Sequence, residues 1–244
     1  ASVGFSNFIQ KNLTEGTRTN YHFTNFFPRV SYLYKFKPSQ NFRFNYNGST
    51  NAPTLEQLQP IRVNTDPLNI YIGNPGLKQS FQHSFNTGYN SYNVLKEKNL
   101  WTSIGFNFTQ NAFVQSSTVD SVGKRTYQTV NTNGIYSLSF YGDYGFKITK
   151  SKLRFGFGPT ANAYRNIEYI NNVKNITTTT NYGIRLNISK YVENKFDFYI
   201  SPSFTLNQSK ASVNAAANAS FWQLEGWANA RVMLPKKFEI STNA

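Results

Sequence analysis

Six polar residues gather in one stretch of this chain: Asn51, Thr54, Glu56, Gln57, Arg62 and Asn74. They offer amide, hydroxyl, carboxylate and guanidinium groups, which suit the holding of a polar ligand or a neighbouring domain by hydrogen bonds. Bond-making chemistry needs more than this. A nucleophile requires an adjacent base, and the sequence has no Gly-x-Ser-x-Gly elbow, phosphate loop or dinucleotide fingerprint. The acids Glu56, Asp66, Glu168 and Glu225 form no evident catalytic pair. The two histidines, His22 and His83, stand far apart and cysteine is absent, so the spacing predicts no metal, no other cofactor, no disulfide and no catalytic residues. The expectation is a binding or transport protein and not an enzyme. The same six side chains could also serve locally, pinning an irregular segment through side chain to backbone hydrogen bonds.

That segment, residues 48–80, interrupts an otherwise regular pattern. Four prolines and scattered apolar residues predict an ordered path. Thr54 and Gln57 have the spacing of a capping box, which predicts one helical turn over residues 55–58. Gly73-Asn74-Pro75-Gly76 carries turn chemistry.

Elsewhere the chain alternates. Phe196, Phe198, Ile200, Pro202, Phe204 and Leu206 interleave with Asp197, Tyr199, Ser201, Ser203, Thr205 and Asn207. The same holds from Trp222 to Leu234, in the Val30, Tyr32, Tyr34, Phe36 series, and around Phe106, Phe155 and Ile184. Successive side chains on a strand point to opposite faces, so each segment has one apolar and one wet face. Short lysine-bearing turns punctuate the pattern at 37–40, 96–99, 149–152, 192–195 and 235–237. Between them lies room for two strands of about 15 to 20 residues, where soluble strands run about five or six. The predicted fold is all-β: an antiparallel up-and-down transmembrane β-barrel, here a partial barrel of about ten to eleven long strands in one domain spanning 1–244, with the remaining strands outside it.

Composition agrees. Aromatics make up 17% of residues and charged residues 15%, while the mean hydropathy is −0.50. A polar lumen inside an apolar band with aromatic girdles combines these properties. A soluble antiparallel sandwich also alternates, but its strands seldom reach this length. The net charge of +14 raises nucleic-acid binding. The basic residues are dispersed, however, so no nucleic-acid partner is expected and the turn lysines read as charges at a membrane surface. Trp101, Trp222 and Trp227 read as interface-belt or packing residues.

The runs Asn51-Ala52-Pro53-Thr54-Leu55-Glu56-Gln57-Leu58, Asp66-Pro67-Leu68-Asn69 and Gly73-Asn74-Pro75-Gly76-Leu77-Lys78, in this order and spacing, resemble the barrel of TonB-dependent outer-membrane receptors of the Bacteroidetes type. The sequence departs from that pattern at Asn51, where an arginine is common, and at Gln79-Ser80, which replaces Pro-Glu. The resemblance implies a place in the Gram-negative outer membrane, with lipid and lipopolysaccharide around the wall. It implies short turns in the periplasm, and segment 48–80 with the connections near 10–20, 118–125, 170–176 and 208–219 outside the cell. Residues 210–219, small and polar, are expected to be mobile. It further implies import of a scarce nutrient such as a metal chelate, oligosaccharide or peptide. The implied partners are an N-terminal plug, a TonB-type energy coupler and a surface lipoprotein, all outside these residues. A passive porin or a surface-anchoring barrel remains the alternative.

Overall fold

The computed structural model describes residues 1–12, 17–60, 62–66, 68–213, 215–235 and 238–243. Its strands are β1 (Ser2–Asn12), β2 (Thr17–Phe27), β3 (Arg29–Lys37), β4 (Gln40–Asn51), β5 (Arg62–Asp66), β6 (Asn69–Ile72), β7 (Ser80–Asn93) and β8 (Lys98–Gln110). They continue as β9 (Ala112–Val119), β10 (Arg125–Thr132), β11 (Ile135–Ile148), β12 (Leu153–Ile170), β13 (Val173–Val192), β14 (Phe196–Ala211), β15 (Ala219–Met233) and β16 (Glu239–Asn243). One helical turn, α1 (Leu55–Leu58), lies between β4 and β5.

The wall is an antiparallel meander in the order β3-β4-β7-β8-β11-β12-β13-β14-β15-β16. The β1–β2 hairpin forms its own pair, attached to the wall where Thr50 Oγ1 accepts the Phe26 N–H at 2.8 Å and donates to the Phe26 carbonyl. Pro28, without an N–H to give to the ladder, separates β2 from β3. Taken as one pass, β2 with β3 joins β1, β4, β7, β8 and β11 to β16, matching the predicted number of long strands. Among the described residues β1 and β16 have one neighbour each, so the curved sheet is not closed.

Register keeps like faces together. Phe85 stands opposite Tyr46 on one side and Phe106 on the other, Phe155 opposite Phe146 and Ile188, and Ile200 opposite Ile188 and Ala228. A one-residue slip would send every such side chain to the wet face. The apolar face nevertheless has nothing packed on it: Trp222 is 73% exposed and Leu224 69%. An apolar surface of that extent is lipid-facing in a spanning barrel. Among the described residues no helix is long and apolar enough to cross a membrane, which is silent about strands.

Three short turns fall where the lysines placed them, at 38–39, 149–152 and 193–195, while the one expected at 96–99 lies at 94–97 because Lys98 and Asn99 already open β8. The expected turn at 235–237 and the connection at 10–20 lie partly outside the described residues. Glu97, Lys152 and Asn194 take positive φ values of 45°, 57° and 53° to close these turns. The connection expected near 170–176 is much shorter than a loop. Asn171 and Asn172, with φ of 49° and 64°, make a two-residue hairpin turn between strands of 18 and 20 residues. Residues 208–219 also differ from expectation, since β14 runs to Ala211 and the Ser212 and Val213 amides are tied to Ile176 and Asn175 of β13.

Candidate functional site

The interrupted segment folds into a compact cap. Thr54 Oγ1 accepts the Gln57 N–H at 3.3 Å and Gln57 Oε1 accepts the Thr54 N–H at 2.9 Å, which completes the predicted capping box on α1. Pro53 and Leu58, on either side of the cap, are fully buried. Burial of one such leucine stabilises by roughly 1.5–3 kcal/mol. Asn74 then locks the far end: its N–H donates to the Gln57 carbonyl at 2.6 Å, its Nδ2 to the Thr129 carbonyl at 3.0 Å, and its Oδ1 accepts from Gly76. Gly73 passes so close to the Gln59 backbone that a Cβ there would overlap the Gln59 carbonyl. This explains the glycine in physical terms.

The hairpin β9–β10 closes the cap. Asn111 at φ 50° and Gly134 at φ 105° bend the β8–β11 hairpin out of the wall, and its distal half becomes β9–β10. There β10 pairs in parallel with β6, and the end of β12 pairs with β9. The buried apolar residues Leu58, Ile70, Leu77, Ala112, Val114 and Ile167 all belong to this assembly or to the part of β12 against it. The only dry core of the described residues is therefore in the cap, above a wall that has none. Asp66 turns β5 into β6, its carboxylate accepting from Asn69 Nδ2 at 2.7 Å and from the Leu68 N–H at 2.9 Å. Those two bonds, the Asn69 side chain first, hold its pKa below the ordinary aspartate value.

Beside α1 the cap encloses a cleft of about 450 Å³, lined by Thr54, Glu56, Gln57, Tyr71, Gln115, Tyr127, Gln128 and Thr129 among others. Three of the six sequence-chosen residues meet there. Asn51 ends β4, exposed and opposite Ser80, outside the lining. Asn74 is bound into the frame behind it. The side chain of Arg62 lies outside the described residues. Thr54 and Gln57 have structural partners in each other, so Glu56, on the exposed side of α1, is the carboxylate left for a ligand. No lysine or arginine among the described residues lines the cleft. It is built to hydrogen-bond a polar ligand.

Two tyrosines there escaped the sequence reading. Tyr71 of β6 and Tyr127 of β10 are register partners whose rings stack at 5.0 Å and 20°. No local signal joins them, because a parallel pairing between distant segments is invisible in either segment alone.

The polar face of the wall is cross-linked rung by rung. Asn99 Nδ2 donates to Asp143 at 3.0 Å, Asn107 to Ser137 at 3.2 Å, and Asn187 Oδ1 accepts from both Tyr199 and Ser201 at 2.9 Å. Arg231 reaches Asp197 at 2.8 Å. Trp101 and Trp227 point to this face, opposite Asp143 and Ser201, and not to an interface belt; only Trp222 sits with the apolar set, opposite Leu206. His83 is on the apolar face, its ring 4.3 Å from Phe108 and its Nδ1 3.0 Å from the Tyr46 hydroxyl. Among the described residues no three metal-ligating side chains come together.

Compared with known families, residues 5–244 match the model of the outer membrane protein beta-barrel family. Among curated proteins no sequence matches.

Proposed function

Because this chain belongs to the outer membrane protein beta-barrel family and so lies in the bacterial outer membrane, we propose that it forms the barrel wall of a TonB-dependent receptor importing a scarce nutrient. The observation that carries the reading is the cap: the only buried apolar core among the described residues, and a cleft of about 450 Å³, stand on the long-loop side of a wall whose other face is a polar lining. In a barrel of this kind short turns face the periplasm and long loops the exterior, so the cleft meets ligand before the lumen does. Glu56 and the amides of Gln115 and Gln128 take up a metal chelate, oligosaccharide or peptide. The rungs around Asn99, Asn107 and Asn187 line its route. An N-terminal plug gates the lumen, a TonB-type coupler supplies energy, and a surface lipoprotein assists capture.

Uptake measured in a strain lacking the gene, with and without the intact protein, tests this. Restored accumulation of one nutrient that collapses when the inner-membrane proton gradient is abolished supports the receptor. Uptake indifferent to that gradient sinks it and leaves a passive porin or a surface-anchoring barrel.

A further inference from the structure

The rim formed by the short turns separates its charges in a particular way. Glu97, in the turn after β7, binds Lys147 at 2.7 Å and Arg154 at 3.1 Å. Asp197 binds Arg231, with Glu239 3.9 Å from the same guanidinium. All three of these cations belong to the polar wall face, since Lys147 pairs with Arg154 and Arg231 with Asp197 across the ladder. The rim's acids are thus turned inward, apart from Glu193. Among the described residues Lys96, Lys98, Lys190 and Lys195 have no carboxylate within ion-pair distance.

Two of these lysines sit on the lipid-facing side. Lys190 stands opposite Leu153 and Phe198, with its ammonium 5.8 Å from the centre of the Phe196 ring. Lys98 begins the stripe continued by Leu100 and Ile104. Next to Lys98, the turn carrying Lys96 also exposes Val94 (67%) and Leu95 (97%). A turn meant only for water has no use for a fully exposed leucine. Aliphatic side chains beside unpaired lysines suit the boundary where acyl chains meet phosphates, with the lysine stems along the apolar surface and their heads at the phosphate.

We propose that this rim is a binding collar for anionic phospholipid headgroups of the periplasmic leaflet. The inference rests on membership of the membrane-barrel family and is independent of what the barrel imports. Lipid phosphates are held by Lys96, Lys98, Lys190 and Lys195, while Val94 and Leu95 enter the acyl boundary.

The test reconstitutes the intact protein in nanodiscs of mixed phosphatidylcholine and phosphatidylglycerol, re-extracts it and weighs the lipid that stays bound. Phosphatidylglycerol is expected to be enriched at least about fivefold over the bulk ratio, the effect of even one well-placed lysine. Glutamine at Lys96, Lys98, Lys190 and Lys195 together lowers the enrichment several-fold toward the bulk ratio. Arginine at the same four positions keeps the enrichment, as does glutamine at Lys124 and Lys174 on the opposite rim. An unenriched native protein, a glutamine variant that keeps the enrichment, or an arginine or opposite-rim variant that loses it overturns the proposal.

Discussion

Asn131 holds the main chain of Lys78 from both sides: its Oδ1 accepts the Lys78 N–H at 2.7 Å and its Nδ2 donates to the Lys78 carbonyl at 3.0 Å. The same Nδ2 donates to the Asn111 carbonyl at 2.7 Å, at the bend where β8 becomes β9. One side chain thereby acts as a missing strand, joining the end of the irregular segment to the folded-over hairpin. Replacing Asn131 by alanine strands these backbone groups. The expected cost is about 2 kcal/mol, confined to the cap. Hydrogen exchange should rise at the Lys78 amide while the amides of β13 and β14 keep their protection.

Gly73→Ala places a methyl group against the Gln59 carbonyl, where backbone and not a yielding side chain fills the space. The Asn74 bond to Gln57 is expected to break and α1 to detach. Limited proteolysis should then cut within residues 48–80, with the barrel remaining resistant.

Thr54→Ala removes the cap of α1 and costs about 1 kcal/mol. Glu56→Ala leaves the capping box intact. If the cleft is the capture site, Glu56→Ala weakens nutrient uptake several-fold without changing thermal stability, whereas Thr54→Ala lowers both. Equal uptake in Glu56→Ala and native protein would remove the cleft from the mechanism.

Glu97 provides a pH dependence with a definite sign. The hydrogen bond from Lys147 first, then the charges of Lys147 and Arg154, hold its pKa below the ordinary glutamate value. A depressed carboxylate stabilises fully above its unfolded pKa, and that contribution is lost as pH falls through the folded one. Exchange protection of the turn at 94–97 should therefore fade on acidification below the usual glutamate range. In Glu97→Gln it should be weaker at neutral pH and flat across the same window.

Much of the wall was legible because its signals are local. Alternation follows from the geometry of one strand, so Phe196 to Leu206 declared their two faces without knowledge of a neighbour. Thr54 and Gln57 announced α1 for the same reason. What escaped was non-local. That Trp101 faces Asp143 and not lipid is implicit in its odd position within the stripe, but tryptophan's usual place in a belt argued the other way. The Tyr71–Tyr127 stack depends on a parallel pairing of β6 with β10. The connection expected near 170–176 shrinks to the turn at Asn171–Asn172 because Val173 to Ile176, with β-branched residues at both ends, already pair with β12 as the start of β13.

The length of β12 and β13 has an effect beyond the membrane. At about 3.4 Å per residue an 18-residue strand extends about 60 Å, far more than a tilted crossing of a band about 25 Å tall needs. The surplus stands up as a stiff mast, and the β9–β10 hairpin is moored to it through Asn171, whose N–H donates to the Ser117 carbonyl and whose Oδ1 accepts the Val119 N–H, both at 2.8 Å. A hairpin fastened to a mast cannot swing independently of the wall. The cleft it helps to line therefore keeps one fixed bearing relative to the strands that carry it.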